Sequence, residues 1–219
     1  INQPTGYPLE PWVDTNGLPV IDMVAGRYQI GDDEFDETPA PANIQIAGDP
    51  DSSPEVSYAS INNLGLRDAA ARPEGTLITQ KISGGNIAED DDLGDYGVTA
   101  QYRVQVDGID HTVASVFWDF MTSEGIVYED FQAITAPLFP NPFYATGYPI
   151  TEAYWATVKV GGTYKEVLMQ CFERRCLTYT PDNPPGWQVE MGNIGQHYME
   201  WLKTTPPTPD PEPDPQPGP

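Results

Sequence analysis

The chain of 219 residues carries 33 acidic residues against 10 lysines and arginines, a formal net charge of −23. This excess of negative charge disfavours binding to nucleic acid or to anionic lipid, and no apolar run approaches the roughly 20 residues of a membrane-spanning helix. Hydrophobic residues make up 39% of the sequence, which is enough for a core. We predict a hydrated extracellular protein, and the start at Ile1 without methionine favours a processed mature form.

A tetrapeptide near the start of the chain returns near its end. The sequence GYPL at 6–9 recurs as GYPI at 147–150, and each copy is followed by an apolar run and a basic turn. The apolar runs lie at 18–24 and 167–171. A repeated unit packs against its own kind, which favours scaffolding or binding over catalysis. Coincidence is the alternative, because Gly-Tyr-Pro is common in turns.

The secondary structure predicted from the sequence is a mixture of short strands and a few helices. Runs rich in Val, Ile, Thr and Tyr predict strands at about 18–24, 76–82, 98–106, 156–160, 165–172 and 175–180. Apolar residues at helical spacing predict helices at about 55–64, 110–124 and 192–202. We expect Asp110 to cap the second helix and Gly125 to end it. The prediction is an α+β fold of short twisted β-hairpins with packed helices, an imperfect internal duplication and extended termini.

The chain divides into four predicted segments. They are an extended N-terminal segment 1–10, a hairpin-plus-helix unit with an acidic loop at 11–97, a second unit at 98–203 and a proline-rich tail at 204–219. Alternate prolines in the tail predict polyproline II, as a stiff stalk or as a segment lying against its own body or a neighbouring copy. Thr204, Thr205 and Thr208 are candidate O-glycosylation sites.

The two cysteines, Cys171 and Cys176, flank a four-residue turn. Residues on either side of such a turn can face each other across a hairpin, so we predict a disulfide and an oxidising location. The alternatives are a redox pair or half of a zinc site, but the sequence supplies no further ligands at a suitable spacing.

Several motifs of the second half are shared with known proteins. They read FWDF at 117–120, NPFYATGYPITE at 141–152, QCFERR at 170–175, LTYTP at 177–181, GWQVE at 186–190 and GNIGQHY at 192–198. Over about 98–202, and faintly over 6–65, the chain resembles a C-terminal module of large, uncharacterised secreted and cell-surface proteins of bacteria. The order of GYPI and QxFER is also similar to LGFP repeats, which are implicated in cell-wall attachment or surface packing. The resemblance implies an extracellular, non-enzymatic module.

Residues that could carry catalysis or sugar binding give weak signals. The two histidines, His111 and His197, are predicted at a helix start and within a helix, and neither lies in a catalytic motif, so we interpret both as structural or surface residues. In a sequence with 33 acidic residues, some pair of carboxylates always resembles that of a glycosidase, so such a pair is almost no evidence for this activity. A sugar-stacking platform is one interpretation of five aromatic residues, and core packing is the interpretation that we favour. These residues are Tyr144, Tyr148, Tyr154, Trp155 and Trp187.

The acidic run at 89–95 is a weak calcium candidate. Asp90, Asp92 and Asp95 could supply oxygen ligands, but the run lacks the EF-hand spacing. A short helical turn with acids at its positive end is the alternative that we prefer. We therefore predict no metal and no other cofactor.

Arg174 and Arg175 are two of only ten basic residues, and they stand at a predicted hairpin tip. Their partner is either a carboxylate of the same chain or one of a neighbouring copy. Arg27 lies at the matching turn of the first copy.

Further contacts between copies are expected from the two termini. The segment 1–10 suits addition to a neighbour's sheet, and the tail suits wrapping along it. The residues expected to make these contacts are Ile1, Tyr7, Pro206 and Pro209.

The function predicted from the sequence is that of an extracellular structural protein. It assembles with identical subunits into a surface fibre or surface layer, without enzymatic activity and through non-covalent contacts of its extended termini. The alternative is a surface module that binds cell-wall material or glycan.

Overall fold

The computed structural model describes residues 17–30, 34–36, 40–50, 56–139 and 141–204. Its helices are α1 (Pro19–Ala25), α2 (Tyr58–Asn63), a 3-10 helix (Asp91–Tyr96), α3 (Ser115–Met121) and α4 (Ile194–Thr204). The strands of the first half are β1 (Tyr28–Gln29), β2 (Phe35–Asp36), β3 (Gln80–Ser83), β4 (Asn86–Glu89), β5 (Ala100–Val106) and β6 (Ile109–Ala114). The remaining strands are β7 (Glu124–Glu129), β8 (Gln132–Pro137), β9 (Tyr154–Val160), β10 (Thr163–Cys171), β11 (Cys176–Tyr179) and β12 (Val189–Met191).

The largest sheet has six strands in the order β12-β11-β10-β9-β3-β4. The last four strands of the chain form an antiparallel meander, and the β3–β4 hairpin joins it through a parallel bridge between Lys81 and Trp155. The strand pairs β1–β2, β5–β6 and β7–β8 each form a separate two-stranded sheet. The predicted α+β class, with small hairpins and few helices, is confirmed.

Alternate side chains of β9 and β10 enter two cores on opposite faces of the six-stranded sheet. Tyr154 and Met169 pack on one face with residues of α1, α2 and α4. Trp155 and Leu168 pack on the other face with α3 and the β5–β6 hairpin. Both cores draw residues from before and after the predicted boundary at 97/98, so this boundary does not separate two packing units.

The predicted strand at 18–24 is wrong, because this run forms helix α1. Pro19 occupies its first turn, and Gly26 ends it in the left-handed conformation with φ 72°. Val20, Met23 and Val24 are buried on one side at helical spacing. The matching run of the second copy is strand β10, so the apolar runs of the two copies do not form the same structure. The first tetrapeptide, at 6–9, lies outside the described residues.

The predicted helix at 110–124 is half wrong. Residues Ile109–Ala114 form strand β6, and only Ser115–Met121 form a helix. Asp107 and Gly108 make the tight turn between β5 and β6, as Asp-Gly does in two-residue hairpins. Asp110 accepts hydrogen bonds from Arg103 across this hairpin, at 2.7 and 2.6 Å, instead of capping a helix. Gly125 lies in β7 and ends no helix.

The other two predicted helices are confirmed. Helix α2 begins after a capping box in which Ser57 and Ser60 each bind the backbone of the other. Helix α4 packs Ile194 and Trp201 into the core. Thr204, expected in the tail, is the last residue of α4, and its hydroxyl donates to the carbonyl of Trp201 at 2.9 Å. None of the helices in the described ranges combines the length and hydrophobicity of a membrane span.

Asp22 of α1 is buried against α4, and burial raises its pKa to about 6. The hydrogen bond that Tyr198 donates to its carboxylate, at 3.4 Å, and the charge of Arg27 oppose this shift. The folded chain therefore binds a proton more tightly than the unfolded chain, whose aspartate titrates near 3.8. Ionisation of Asp22 consequently opposes folding, so its penalty grows as the pH rises from about 4 to about 6 and stays constant above that range.

We expect the variant Asp22→Asn to be more stable than the natural chain at pH 7.5, by about 1–3 kcal/mol. Asparagine keeps the shape of the side chain and removes the charge that burial disfavours. The gain should shrink as the pH falls from 6 to 4. Urea unfolding at several pH values measures it, and a gain that does not depend on pH would contradict this explanation.

Candidate functional site

The β7–β8 hairpin exposes large apolar side chains. Its two strands are joined by Asp130 and Phe131, whose φ angles of 48° and 63° suit a type I′ turn. Tyr128 is 80% exposed and Ile126 is 73% exposed, and Phe131 at the turn is fully exposed. Among the described strands, neither β7 nor β8 pairs with a third strand. A two-stranded hairpin is marginally stable by itself in water, so this one gains from being covered.

Both faces of this hairpin are apolar. Ile126 and Tyr128 share one face, whereas Val127 and Ile134, which are directly opposite each other, share the other. Strands that are apolar on both faces are typical of sheets covered on both sides. Here most of the apolar surface meets solvent. Exposed apolar surface of this kind marks a site of interaction with another molecule.

Charge is unevenly distributed over the hairpin. Glu124 and Glu129 lie on β7, and Asp130 lies in the turn. In contrast, β8 belongs to a run from 131 to 151 that contains no charged residue. The sequence between Arg103 and Lys159 has no lysine or arginine. The hairpin therefore has an acidic strand and a neutral strand.

A buried polar network lies where the β5–β6 hairpin meets the six-stranded sheet. Glu152, 1% exposed, lies just before β9. Its carboxylate accepts hydrogen bonds from the backbone N–H of Thr112 at 2.9 Å and of Arg72 at 3.2 Å. His111 Nδ1 lies 3.2 Å from the same carboxylate. This carboxylate thus holds three chain segments together.

The Arg72 side chain extends the network. Its guanidinium donates to the carbonyl of Ala153 at 2.5 Å and to Gln80 Oε1 at 2.6 Å, and it lies 4.8 Å from the centre of the Tyr154 ring. It also lies 3.8 Å from Glu152. Burial lowers the pKa of Arg72, and the charge of Glu152 opposes that effect. The arginine and the carboxylate therefore stabilise each other's charge in a buried site.

Gln170 of β10 also connects the β5–β6 hairpin to the six-stranded sheet. Its amide donates to the carbonyls of Thr112 and Thr151 at 3.0 Å each, and its side-chain oxygen accepts from Ala114 N–H at 3.0 Å. These side-chain hydrogen bonds attach the outer edge of β6 to the six-stranded sheet in place of backbone hydrogen bonds between strands.

A polar groove borders the network. His111, predicted at a helix start, lies in β6 and lines this groove of about 310 Å³. The other lining residues are Asn62, Arg67, Asp68, Gly108, Ile109 and Ile150. Since His111 is held by Glu152, its ring has a fixed orientation beside the groove.

The predicted disulfide between Cys171 and Cys176 is confirmed, and the two residues face each other in the β10–β11 ladder. The intervening loop is packed inside the molecule and is no exposed tip. Arg174, predicted to contact other subunits, is only 5% exposed and so is covered by its own chain. Arg175 is half-buried. The prediction of a surface contact is therefore wrong for Arg174.

The two motifs that carry the sequence resemblance contact each other. Glu173 donates its N–H to the carbonyl of Tyr148 at 3.0 Å and accepts the Tyr148 N–H on its carboxylate at 2.9 Å. Arg174 N–H donates to the carbonyl of Thr146 at 2.8 Å. The Gly-Tyr-Pro turn and the Phe-Glu-Arg loop thus form one structural unit. Helix α1 joins it, because Val20 N–H donates to the Glu173 carbonyl at 3.2 Å.

We expect removal of the disulfide, in Cys171→Ala/Cys176→Ala, to lower the free energy of unfolding by about 2 kcal/mol, the chain-entropy value for so short a loop. The two cysteines are separated by only 5 positions, which keeps the entropy effect small. Urea unfolding with and without reductant measures it. The natural chain should lose stability when reduced, whereas the double variant should not respond. An equal response of both proteins would show that the bridge is not formed in solution.

Most of the acidic run at 89–95 lies in the 3-10 helix Asp91–Tyr96, in agreement with the helical turn that the sequence favours over a calcium site. Asp90 precedes this helix and lies 3.7 Å from Lys81 Nζ. In the described part of the chain, no three His, Cys, Asp or Glu residues are grouped so that they could hold a metal ion. Asp90, Asp92 and Asp95 are not brought together as ligands.

Of the five aromatic residues considered for sugar stacking, two are core residues, as the preferred interpretation expects. Tyr154 and Trp155 are buried in the cores on opposite faces of the sheet. Tyr148 packs against Phe143, with ring centres 5.0 Å apart. Trp187 is 71% exposed, and Tyr144 is also exposed. Core packing accounts for the buried pair.

The predicted contact residues Ile1, Tyr7, Pro206 and Pro209 lie outside the described residues, and so do the candidate glycosylation sites Thr205 and Thr208. The strands predicted from the sequence do not include β7 or β8, so the exposed hairpin was missed. The available signal was its run of alternating and consecutive apolar residues at 126–138 beside a stretch without charge.

Comparison with protein-family models, with curated proteins and with solved structures finds no match to this chain.

Proposed function

We propose that this chain is an extracellular, non-enzymatic structural module that associates with identical copies of itself, as a subunit of a surface fibre or surface layer. The observation that carries the proposal is the β7–β8 hairpin, whose apolar side chains are exposed on a marginal two-stranded sheet. Such a surface is stabilised when a second molecule covers it.

The charge of the chain restricts how the copies can meet. With a net charge of −23, two copies repel each other at long range. Association must therefore use apolar contacts and strand pairing. The hairpin offers both, because it exposes several apolar side chains and its outer strand edges are free of other described strands.

The disulfide and the sequence resemblance support an extracellular location. A bridge such as Cys171–Cys176 persists in oxidising surroundings, which favours an extracellular protein. The likeness of about 98–202 to modules of bacterial surface proteins points the same way. Glu152, beside His111 at the groove, accepts hydrogen bonds from the backbone N–H groups of Arg72 and Thr112, as structural residues do.

Sedimentation of the purified full chain over a range of concentrations and salt tests the proposal. The average mass should rise with concentration, and salt should strengthen association because it screens the repulsion between acidic copies. Tyr128→Asp should weaken association. Tyr164→Asp is a matched control, because Tyr164 is also largely exposed but lies on β10. A chain that stays monomeric at the highest concentration and salt would contradict the proposal.

A second candidate function is glycan binding, and the polar groove beside His111 favours it. The groove continues over a volume of about 530 Å³, where Arg67, Arg103 and Gln105 supply hydrogen-bond donors. These donors, together with the acceptors of Asp68 and Asp110 that also line the groove, suit the hydroxyl groups of a neutral saccharide. Saturable binding to a neutral cell-wall polysaccharide that Arg67→Ala abolishes would support this function. Equal binding by the natural chain and by the variant would contradict it.

A further inference from the structure

The outer edge of β8 has no neighbouring strand among the residues that the structure describes. Glu129 and Gln132 flank the two-residue turn, so they form a hydrogen-bonded pair, and such pairs alternate along an antiparallel ladder. Val127 and Ile134 are the next hydrogen-bonded pair. The N–H and C=O groups of the intervening residue Ala133, and those of Thr135, therefore point away from β7.

The edge of β8 lacks the usual protection against pairing with another strand. Natural edge strands carry charges, proline or bulges that prevent such pairing. β7 carries Glu124 and Glu129, and the outer strands of the six-stranded sheet carry Glu89 and Glu190. β8 has no charge, and its proline, Pro137, stands only at its end.

We propose that two copies of this chain pair through β8, antiparallel and symmetric about Ile134. This inference deepens the proposed self-association and rests on it. Ala133 would pair with Thr135 of the partner subunit and Thr135 with Ala133 of the partner subunit, which uses every outward backbone group of these two residues. Pro137, which has no N–H, ends the shared ladder.

Charge favours a second copy as the occupant of this edge. In the resulting order β7-β8-β8-β7, the two neutral strands meet at the centre and the acidic strands lie outside. Pairing through β7 would instead bring Glu124 and Glu129 of each copy towards those of the other. Glu124, Glu129 and Asp130 also disfavour insertion of the hairpin into an anionic membrane.

The paired hairpins form a four-stranded sheet. A sheet with this number of strands is stable in water, whereas a single two-stranded hairpin is only marginally stable. The contact is closed, because each copy uses the same strand. A fibre or layer built from such pairs then needs a second, different contact.

A cysteine in place of Ile134 tests the symmetry. Non-hydrogen-bonded partners in an antiparallel pair have Cα atoms about 4.5 Å apart, within the range that a disulfide bridges. Because both natural cysteines are already bonded to each other, the full chain of Ile134→Cys carries a single free thiol. Mild oxidation should convert most of its monomer to a covalent dimer.

Val127→Cys is the matched control, since Val127 lies opposite Ile134 on the same face of the hairpin but on β7. It should remain largely monomeric under the same oxidation. Equal cross-linking of the two variants would overturn the proposed strand and register.

Proline substitutions test the edge without added thiols. Thr135→Pro removes an outward N–H of β8, and Ile126→Pro removes the outward N–H of the residue opposite it on β7. Sedimentation of the full chain should show loss of the dimer for Thr135→Pro and retention for Ile126→Pro. Near-ultraviolet circular dichroism checks that both variants are folded.

The outcomes separate this inference from the proposed function. If the natural chain associates but both proline variants associate equally, pairing through β8 is overturned and self-association stands. If the natural chain does not associate at all, both fall. If the hairpin binds neutral lipid vesicles and the chain remains monomeric, a membrane takes the place of the second copy and the inference is overturned.

Discussion

Replacing Glu152 by alanine is expected to lower the free energy of unfolding by about 3–5 kcal/mol, the range for breaking a buried ion pair by removing one partner. The loss leaves the buried Arg72 guanidinium without its neighbouring carboxylate. It also leaves the backbone N–H groups of Arg72 and Thr112 without their acceptor. Each unsatisfied group adds its own desolvation penalty.

Urea unfolding followed by tryptophan fluorescence measures the effect of Glu152→Ala. Glu166→Ala is the control, because Glu166 also binds a cation, Lys81 Nζ at 2.7 Å, but is partly exposed. We expect it to lose about 1 kcal/mol or less. Similar losses for the two variants would show that the buried network is not a main determinant of stability.

Replacing Gly147 by alanine is expected to be destabilising by about 3 kcal/mol, through backbone strain and overpacking together. Gly147 has φ 71°, a conformation that disfavours a side chain. An added Cβ would lie 2.6 Å from Glu173 Oε2 and 2.8 Å from Glu173 Cβ. It would push apart the turn and the loop whose backbones bind each other at this point.

Gly65→Ala separates the two causes. Gly65 has a similar φ of 63°, but an added Cβ there meets nothing within 4 Å. This variant should lose about 1–2 kcal/mol from strain alone. Thermal unfolding compares the two proteins. A loss for Gly147→Ala no larger than that for Gly65→Ala would mean that the loop moves to accept the methyl group.

The sequence predicted correctly those elements that are determined by residues close together in the chain. The run at 165–172 became β10, the helix at 192–202 became α4, and Cys171 and Cys176 bonded across their turn. Each of these predictions depended on residues that are neighbours in the sequence. The signals were β-branched residues for the strand, apolar spacing for the helix and a short turn between the two cysteines. Such signals do not require knowledge of the rest of the fold.

The errors arose where two local signals competed. At 18–24 the β-branched residues suggested a strand, but Pro19 and Gly26 fit the start and end of a helix, and burial of one side decided in favour of the helix. At 110–114 the apolar residues fitted a helix, but the Asp107-Gly108 turn set up a hairpin. The β7–β8 turn uses Asp130 and Phe131 without glycine, so the sequence contains no strong hairpin signal there.

The buried network could not be predicted from local patterns. Glu152 meets Thr112, which is 40 positions away, and Arg72, which is 80 positions away. Nothing near any of these residues encodes the contact, because it depends on how the β5–β6 hairpin is placed on the sheet. The contact between Glu173 and Tyr148 has the same origin.

The position of β3 beside β9 has a consequence for the order in which the chain folds. Synthesis proceeds at about 5–20 residues per second, so the 71 positions between Ser83 and Tyr154 separate the two strands by about 4–14 s. During that interval both strands of the β3–β4 hairpin have been synthesised, but β9, the neighbour of its inner edge, has not. Lys81 stands on that edge, where a charge discourages aggregation of a nascent chain. Once β9 and β10 have joined the sheet, Glu166 forms an ion pair with Lys81. The charge that discourages aggregation of the nascent chain then stabilises the folded sheet.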